Sequence, residues 1–280
     1  MIRSIPQQAY QIFKNGSKTY FYSSLFFPHE VKTDVFTLYS FVRTADDFVD
    51  QSPPQTKQFK KFRVDYERAI AGTPSGGLVI DSFVELQRRR SFDSQWVQSF
   101  LNAMEQDLKQ KTYAEMKDTT AYMHGSAEVI GLMMSKILGL PEKAYPAAQS
   151  LGRSMQYVNF IRDIQEDNQL GRVYFPQREL KKYGLVSLER NVVEKPRSQF
   201  NTFMRAQIAQ YHMWCGEGQR GYAFIPRRYV IPIKTANDLY QWTVREIAKR
   251  PMIVFERKVK PSITRILYTL LKSTIWAVCR

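Results

Sequence analysis

An all-α, single-domain bundle is the fold that this sequence predicts, and three observations predict it. Apolar residues recur three and four apart through 33–49, 95–110, 119–138, 147–165, 198–211 and 237–249, which is the spacing of one helix face. Few stretches alternate as strands would. Proline- and glycine-containing breakers separate the periodic segments at helix-length intervals, with no linker and no repeat of solenoid period, so the helices must pack around one shared core over residues 1–280.

The elements follow in order. Residues 1–9 carry Arg3, Pro6 and two glutamines but no apolar run of signal-peptide length, so a cytoplasmic, reducing location is expected. Pro28 precedes the first long helix and Ser52-Pro53-Pro54 ends it. The stretch 72–77, Gly-Thr-Pro-Ser-Gly-Gly, follows a helical pattern where a phosphate loop would follow a strand, so it reads as a turn. Further breaks are expected at Ser91 before Asp93, at Pro141, and at 171–176, 226–232 and 251–261. The last segment, 263–280, is the most apolar, yet Arg265 and Lys272 interrupt it well short of the roughly 20 apolar residues that span a bilayer. It reads as an amphipathic helix that packs on the core, with docking on a membrane surface as the alternative use of its basic flanks.

Composition bounds the function. With 280 residues, 44% of them hydrophobic, the chain can bury a sizeable core, and 41 Lys and Arg against 26 Asp and Glu leave a formal charge of +15. Such an excess attracts an anionic partner, whether a phosphorylated substrate, an acidic membrane or a nucleic acid. The basic runs 57–61 and 88–90 have little aromatic interleaving, so nucleic acid is not expected. Cys215 and Cys279 lack metal-ligand spacing, and His29, His124 and His212 stand far apart, which excludes a disulfide scaffold, a zinc finger and a Cys/His protease.

Two stretches place acidic residues where amphipathicity does not need them. Residues 39–50, YSFVRTADDFVD, align Tyr39, Arg43, Asp46 and Asp50 on one helix face, and Gln156, Asn159, Asp163 and Asp167 do the same further on. Like charges one turn apart repel, and both stripes are set among apolar residues. Hard oxygen donors without Cys or His favour Mg²⁺, completed by water and phosphate oxygens, and Mn²⁺ would serve in its place. Arg43, Arg162, Arg172 and Lys18 supply donors for a diphosphate. Metal-assisted loss of diphosphate leaves a carbocation, which the aromatic residues nearest these stripes could shield.

The stretch 154–176, SMQYVNFIRDIQEDNQLGRVYFP, resembles the second signature of the squalene/phytoene synthases, 39–50 resembles their first, and 16–20, GSKTY, resembles their N-terminal substrate loop. The resemblance implies an isoprenoid-synthase helical bundle with a central active-site cavity. It implies Mg²⁺ held by Asp46 and Asp50 on one wall and by Asn159, Asp163 and Asp167 on the other. Arg43, Arg162, Arg172 and Lys18 would bind diphosphate, helped by Gly16, Ser17, Thr19 and Tyr20 of the loop, while Tyr39, Gln156, Tyr174 and Tyr240 would line the reacting centre. Tyr122, in the stretch 122–131 (YMHGSAEVIG), would contact the reacting carbons, and Arg250, Arg257 and Lys258 resemble a basic patch that closes on diphosphate. His124 stands where many members have a second tyrosine, and Glu128 where many have glycine.

The activity so implied is head-to-head condensation of two geranylgeranyl diphosphates through prephytoene diphosphate to phytoene, the first committed step toward carotenoids, with no NADPH required. The alternatives are a dehydrosqualene or squalene synthase using farnesyl diphosphate, and a non-catalytic member acting as an assembly or membrane adaptor. A central stretch like that of a phytoene subset, and no membrane-spanning C-terminal extension, favour the twenty-carbon substrate. Gly131, Leu132, Met133 and Met134 are expected to leave room for its longer tail. The expected partners are prenyl diphosphates and, through the basic surface and the C-terminal helix, a membrane.

Overall fold

The computed structural model describes residues 5–279, so residues 1–4, with Arg3, and Arg280 at the end of the expected tail lie outside the described residues. Helices α1 (Gln7–Gly16), α2 (Lys18–Ser24), α3 (His29–Asp50), α4 (Thr56–Ile70), α5 (Leu78–Arg90) and α6 (Ser94–Asp107) form the N-terminal half. They are followed by α7 (Met116–Met123), α8 (Val129–Ile137), α9 (Tyr145–Arg162), α10 (Ile164–Gln169), α11 (Gln177–Lys182) and α12 (Arg190–Val193). The long α13 (Arg197–Arg220) and α14 (Arg227–Lys249) and the terminal α15 (Ile263–Cys279) complete the bundle. Among the described residues β structure is limited to one isolated bridge, Thr112 to Val173, which ties the segment after α6 to the loop after α10.

Helix starts follow local chemistry. Ser17 accepts from the Tyr20 N–H to begin α2, Asp93 accepts from Gln95 N–H to begin α6, and Glu115 with Asp118 forms a reciprocal capping box at α7. Ser91 ends α5 in the left-handed conformation, at φ 52°. The apolar face of α3 then packs on α5, with Phe41 stacked on Phe83 at 3.7 Å between ring centroids. The basic run ending α5 is structural: Arg89 and Arg90 both pair with the buried Asp34 of α3, and Arg88 donates to the carbonyls of Ala69 and Ile70.

Three sequence expectations need correction. The helix expected over 119–138 contains a π turn, His124–Glu128, closed by the Val129 N–H on the His124 carbonyl, so one extra residue is accommodated between α7 and α8. The helix expected over 147–165 ends at Arg162; Asp163 leaves helical geometry (φ −101°, ψ 16°), although the Asp167 N–H still bonds the Asp163 carbonyl at 2.8 Å. Pro232 sits inside α14 and does not break it, its ring buried in the first turns.

Gly131 does not open space for a substrate tail. A Cβ there would lie 2.4 Å from the Ala148 carbonyl oxygen, and one at Gly152 would lie 2.5 Å from the Ala127 oxygen, so these glycines let α8 and the π turn lie directly against α9. Leu132 and Met133 beside it are buried core residues, and Met134 packs against the same core. Gly131→Ala is expected to push these backbones apart and cost about 1–3 kcal/mol, read as a lower urea midpoint with an unchanged m-value.

Candidate active site

The two acidic stripes occupy opposing walls. Gly16, the last residue of α1, clears the way for Tyr39 of α3, because a Cβ there would lie 2.4 Å from the Tyr39 hydroxyl. Tyr39 stacks on Phe13 at 3.8 Å, and burial raises its pKa. Arg43, one turn on, bonds Asp46 at 3.1 Å and Asp47 at 2.5 Å. Burial and the neighbouring Asp50 carboxylate push Asp46 up to about 8.

The second wall runs from α9 into α10. Arg162 grips Asp163 with two bonds of 2.7 and 2.6 Å, and Lys258 reaches the same carboxylate at 3.2 Å while also pairing with Glu166. Asn159 donates to the Gln156 side-chain oxygen at 3.3 Å, leaving its own buried Oδ1 without a hydrogen-bond partner. Asp167 is raised well above the usual carboxylate range, by burial first and then by Asp163 and by Asp50 of the opposite wall. The geometric link between the two stripes is Arg172, whose backbone N–H bonds the Asp167 carbonyl at 2.8 Å while its side chain bonds Asp50.

Arg172 joins the walls. It is 3% exposed, and its Nη atoms donate to the Asp50 carboxylate and to the Val49 carbonyl, each at 2.6 Å. Behind it lies Asp107, which the sequence reading missed. Only 2% exposed, Asp107 accepts from the Tyr122 hydroxyl at 2.6 Å and from the Tyr174 hydroxyl at 2.9 Å. Burial pushes its pKa up to about 6, with Arg172 and the two hydroxyls acting against that rise. A signal was present: Asp107 continues the apolar stripe Val97, Phe100, Leu101, Met104 and falls in the last turn of α6, where the helix dipole disfavours a carboxylate.

The remaining expected residues divide into two groups. Tyr20 lies against Tyr240 at 5.6 Å between rings, its hydroxyl on Met155, and Arg162 acts electrostatically on both tyrosines. Tyr174 stacks on Phe160 at 4.3 Å. Lys18 and Thr19 begin α2, with Lys18 exposed. Exposed Lys260, also missed, follows Lys258 by two residues, and partial desolvation with the charges of Lys258 and Arg162 lowers its pKa. Arg250, by contrast, is spent on an exposed ion pair with Glu256, and Tyr122 has its hydroxyl committed to Asp107. The His124 and Glu128 substitutions compensate one another: buried Glu128 pairs with His124 at 3.1 Å and with Arg153 at 2.5 Å.

Beside the first acidic stretch a cleft of about 390 Å³ opens between α1 and α3, lined by Gln8, Gln11, Ile12, Asn15, Gly16, Arg43 and Asp47. None of its lining comes from α9 or α10, so it is not the central cavity expected from the sequence. Among the described residues no three His, Cys, Asp or Glu side chains converge into a ready-made metal cage. The donor set still fits Mg²⁺, which takes one or two carboxylates per ion and completes its shell with water and phosphate, and the orphaned Asn159 Oδ1 is a free oxygen donor beside Asp163.

Crowding of these carboxyls has a measurable sign. Asp46, Asp107 and Asp167 bind protons more tightly in the folded chain than at the ordinary value of about 4. Their stabilising contribution is complete below that pH and is lost as pH rises through the folded values. Without added divalent ions, Tm is expected to fall between about pH 5 and pH 8, and Asp107→Asn to flatten the lower half of that fall; a flat profile for the unaltered chain would contradict the crowding.

A family model described as Squalene/phytoene synthase matches residues 13–265. The chloroplastic phytoene synthase of an Oncidium hybrid cultivar is 28% identical over 250 residues, covering 85% of this chain and 60% of that protein. The 15-cis-phytoene synthase of Pantoea ananas is 26% identical over 250 residues, covering 85% and 81%. This chain thus spans 57–60% of the first plant relatives' length. Among solved structures, a dehydrosqualene synthase in complex with ligand superposes with a TM-score of 0.88 at 20% identity, over 97% of this chain and 96% of that one. A squalene synthase from Alicyclobacillus acidocaldarius gives 0.76 at 18% identity, over 86% and 92%. At these identities the superpositions speak to the fold.

Proposed function

We propose, because this chain belongs to the squalene/phytoene synthase family, that it joins two geranylgeranyl diphosphates head to head to form phytoene. The observation that supports this is the pair of acidic stretches brought together through Arg172, which bonds Asp50 and Val49 of the first and the Asp167 carbonyl of the second, with the guanidinium of Arg162 and the ammonium of Lys258 on Asp163. The names of its relatives, phytoene synthases of plants and of Pantoea ananas, support the twenty-carbon substrate.

Asp46, Asp50, Asn159, Asp163 and Asp167 would hold Mg²⁺, or Mn²⁺ in its place, which when bound screens the diphosphate and makes it a better leaving group. The chain's own groups do the rest. Arg43, Arg162, Lys18, Lys258 and Lys260 bind phosphate oxygens, and Arg172 positions Asp50. Tyr20, Tyr39 and Tyr240 turn ring faces toward the electron-poor carbons and keep water from them, while Tyr174, stacked between Phe160 and Tyr113 and bonded to Asp107, supports the site from behind. Two diphosphates and two protons leave in all, one proton on forming the cyclopropylcarbinyl diphosphate and one from the cation left when its diphosphate departs, so no reductant such as NADPH is consumed.

Product analysis tests this directly, with Mg²⁺ and with farnesyl or geranylgeranyl diphosphate, each with and without NADPH. Phytoene from the twenty-carbon substrate, indifferent to NADPH, is the expected result. A thirty-carbon product would move the chain to dehydrosqualene or squalene synthesis, and no product from either would leave the adaptor reading. Lys258→Ala is expected to raise KM about tenfold with a smaller change in kcat, the loss of one charge-assisted phosphate contact; an unchanged KM would remove Lys258 from the site.

A further inference from the structure

The C-terminal helix is both a packing element and an unpartnered surface. Ile266, Thr269, Leu270, Ser273 and Ala277 of α15 are buried, and α15 lies along α14, with Trp276 beside Tyr222 at 6.1 Å and the Arg265 guanidinium over Trp242. The opposite side is apolar and open. Ile263, Leu267, Tyr268, Leu271, Ile275 and Val278 are 50–71% exposed, and at 100° per residue they occupy one arc of about 140°. Most of the large hydrophobic side chains exposed among the described residues belong to this one helix, so they form a patch and are not scattered as on an ordinary surface.

Charge identifies what the patch fits. Described α15 carries no acidic residue, and its two cations, Arg265 and Lys272, border the apolar arc on one side. Each reaches the Tyr268 ring, Arg265 at 5.9 Å and Lys272 at 5.8 Å, so the ammonium and guanidinium sit level with an aromatic ring at the edge of the apolar face. That is the arrangement of a helix lying in a lipid interface, with alkyl groups in the acyl region and the cations at the headgroups. The formal charge of +15 adds long-range attraction to an anionic surface.

We propose that α15 docks this protein on an anionic lipid bilayer through the Leu267, Leu271 and Ile275 face, lying parallel to the membrane and not crossing it. Among the described residues no helix is long and apolar enough to cross. The docked helix is placed to matter: α15 also packs on α2, and α14 beneath it carries Tyr240, so the lipid surface adjoins the walls that hold the substrate loop. If the reading of the site is right, an apolar hydrocarbon product is released next to an apolar phase. The docking itself does not depend on turnover.

The experiment is flotation of the full chain with vesicles of phosphatidylcholine alone and of phosphatidylcholine mixed with phosphatidylglycerol, in the absence of substrate. Binding to the anionic vesicles, weakened by salt, is expected. A Leu267→Glu, Leu271→Glu, Ile275→Glu variant, altered only on the exposed arc, should bind more than roughly tenfold more weakly while keeping its Tm and its turnover in detergent. Arg265→Glu with Lys272→Glu should lose the preference for anionic lipid. Three results would overturn the proposal: no vesicle binding by the unaltered chain, undiminished binding by the triple variant, or a stable dimer in solution that the triple variant abolishes. Vesicle binding without turnover would instead count against the reading of the site and leave the docking intact.

Discussion

Asp46→Asn and Asp163→Asn are each expected to lower kcat/KM for prenyl diphosphates by at least about a hundredfold while leaving the helical fold intact. Asp46 and Asp163 stand on opposite walls, each with a carboxylate neighbour one turn away and a guanidinium already in contact. Replacing Asp46 by its amide removes a charge that burial and Asp50 make unfavourable, so its stability should hold or rise above about pH 7. Asp163→Asn, by contrast, gives up a charge paired with Arg162 and Lys258 and should cost some stability while the chain stays folded. At Asp46, opposite signs for activity and stability distinguish a functional group from a packing one. Near-normal rates in either variant would refute the two-wall site, and the far-UV spectrum with a thermal melt checks the fold.

Arg172→Met is expected to damage both. The side chain is nearly isosteric along its stem, but it leaves the Val49 carbonyl and the Asp50 carboxylate without their donors and Asp107 without its cation. Asp50 is 40% exposed and recovers water, whereas Asp107 is buried. The loss should be about 2–4 kcal/mol, below the cost of orphaning a fully buried pair, and activity should be lost even where the variant remains folded. Arg172→Lys should rescue little, since one ammonium cannot reproduce two parallel donors aimed at separate acceptors. Urea unfolding and turnover read the two effects separately; a variant of ordinary stability would show that the walls are not joined through this residue.

The architecture was largely legible because helix periodicity is a local property: the stripes through 33–49, 95–110 and 198–211 are buried faces in the bundle, and the stretches that carry the paired aspartates are linked through Arg172, which bonds Asp50 and the Asp167 carbonyl. What the sequence hid was set by tertiary partners. Asp107 occupies a position on a core stripe and becomes a site residue only because Tyr122 and Tyr174, remote in sequence, aim hydroxyls at it. Gly131 looks like room for a ligand and is instead an approach of two backbones, and the run 88–90 looks like a free basic patch yet is consumed by Asp34 and by helix-end carbonyls. Lys260 was hidden for the same reason, since its neighbour Arg162 comes from a distant segment.

The resident ion pairs also fix how ligands must arrive. Asp46 has Arg43, Asp50 has Arg172, and Asp163 has both Arg162 and Lys258, so the described site already holds its own counter-ions. A divalent cation entering alone would compete with those side chains, and a diphosphate entering alone would have to draw them away from the aspartates. Entering together, each takes the partner that the other releases. Metal and diphosphate should therefore bind with positive linkage, each tightening the other by the same factor, so that the site stays closed to either ligand alone and fills as a unit.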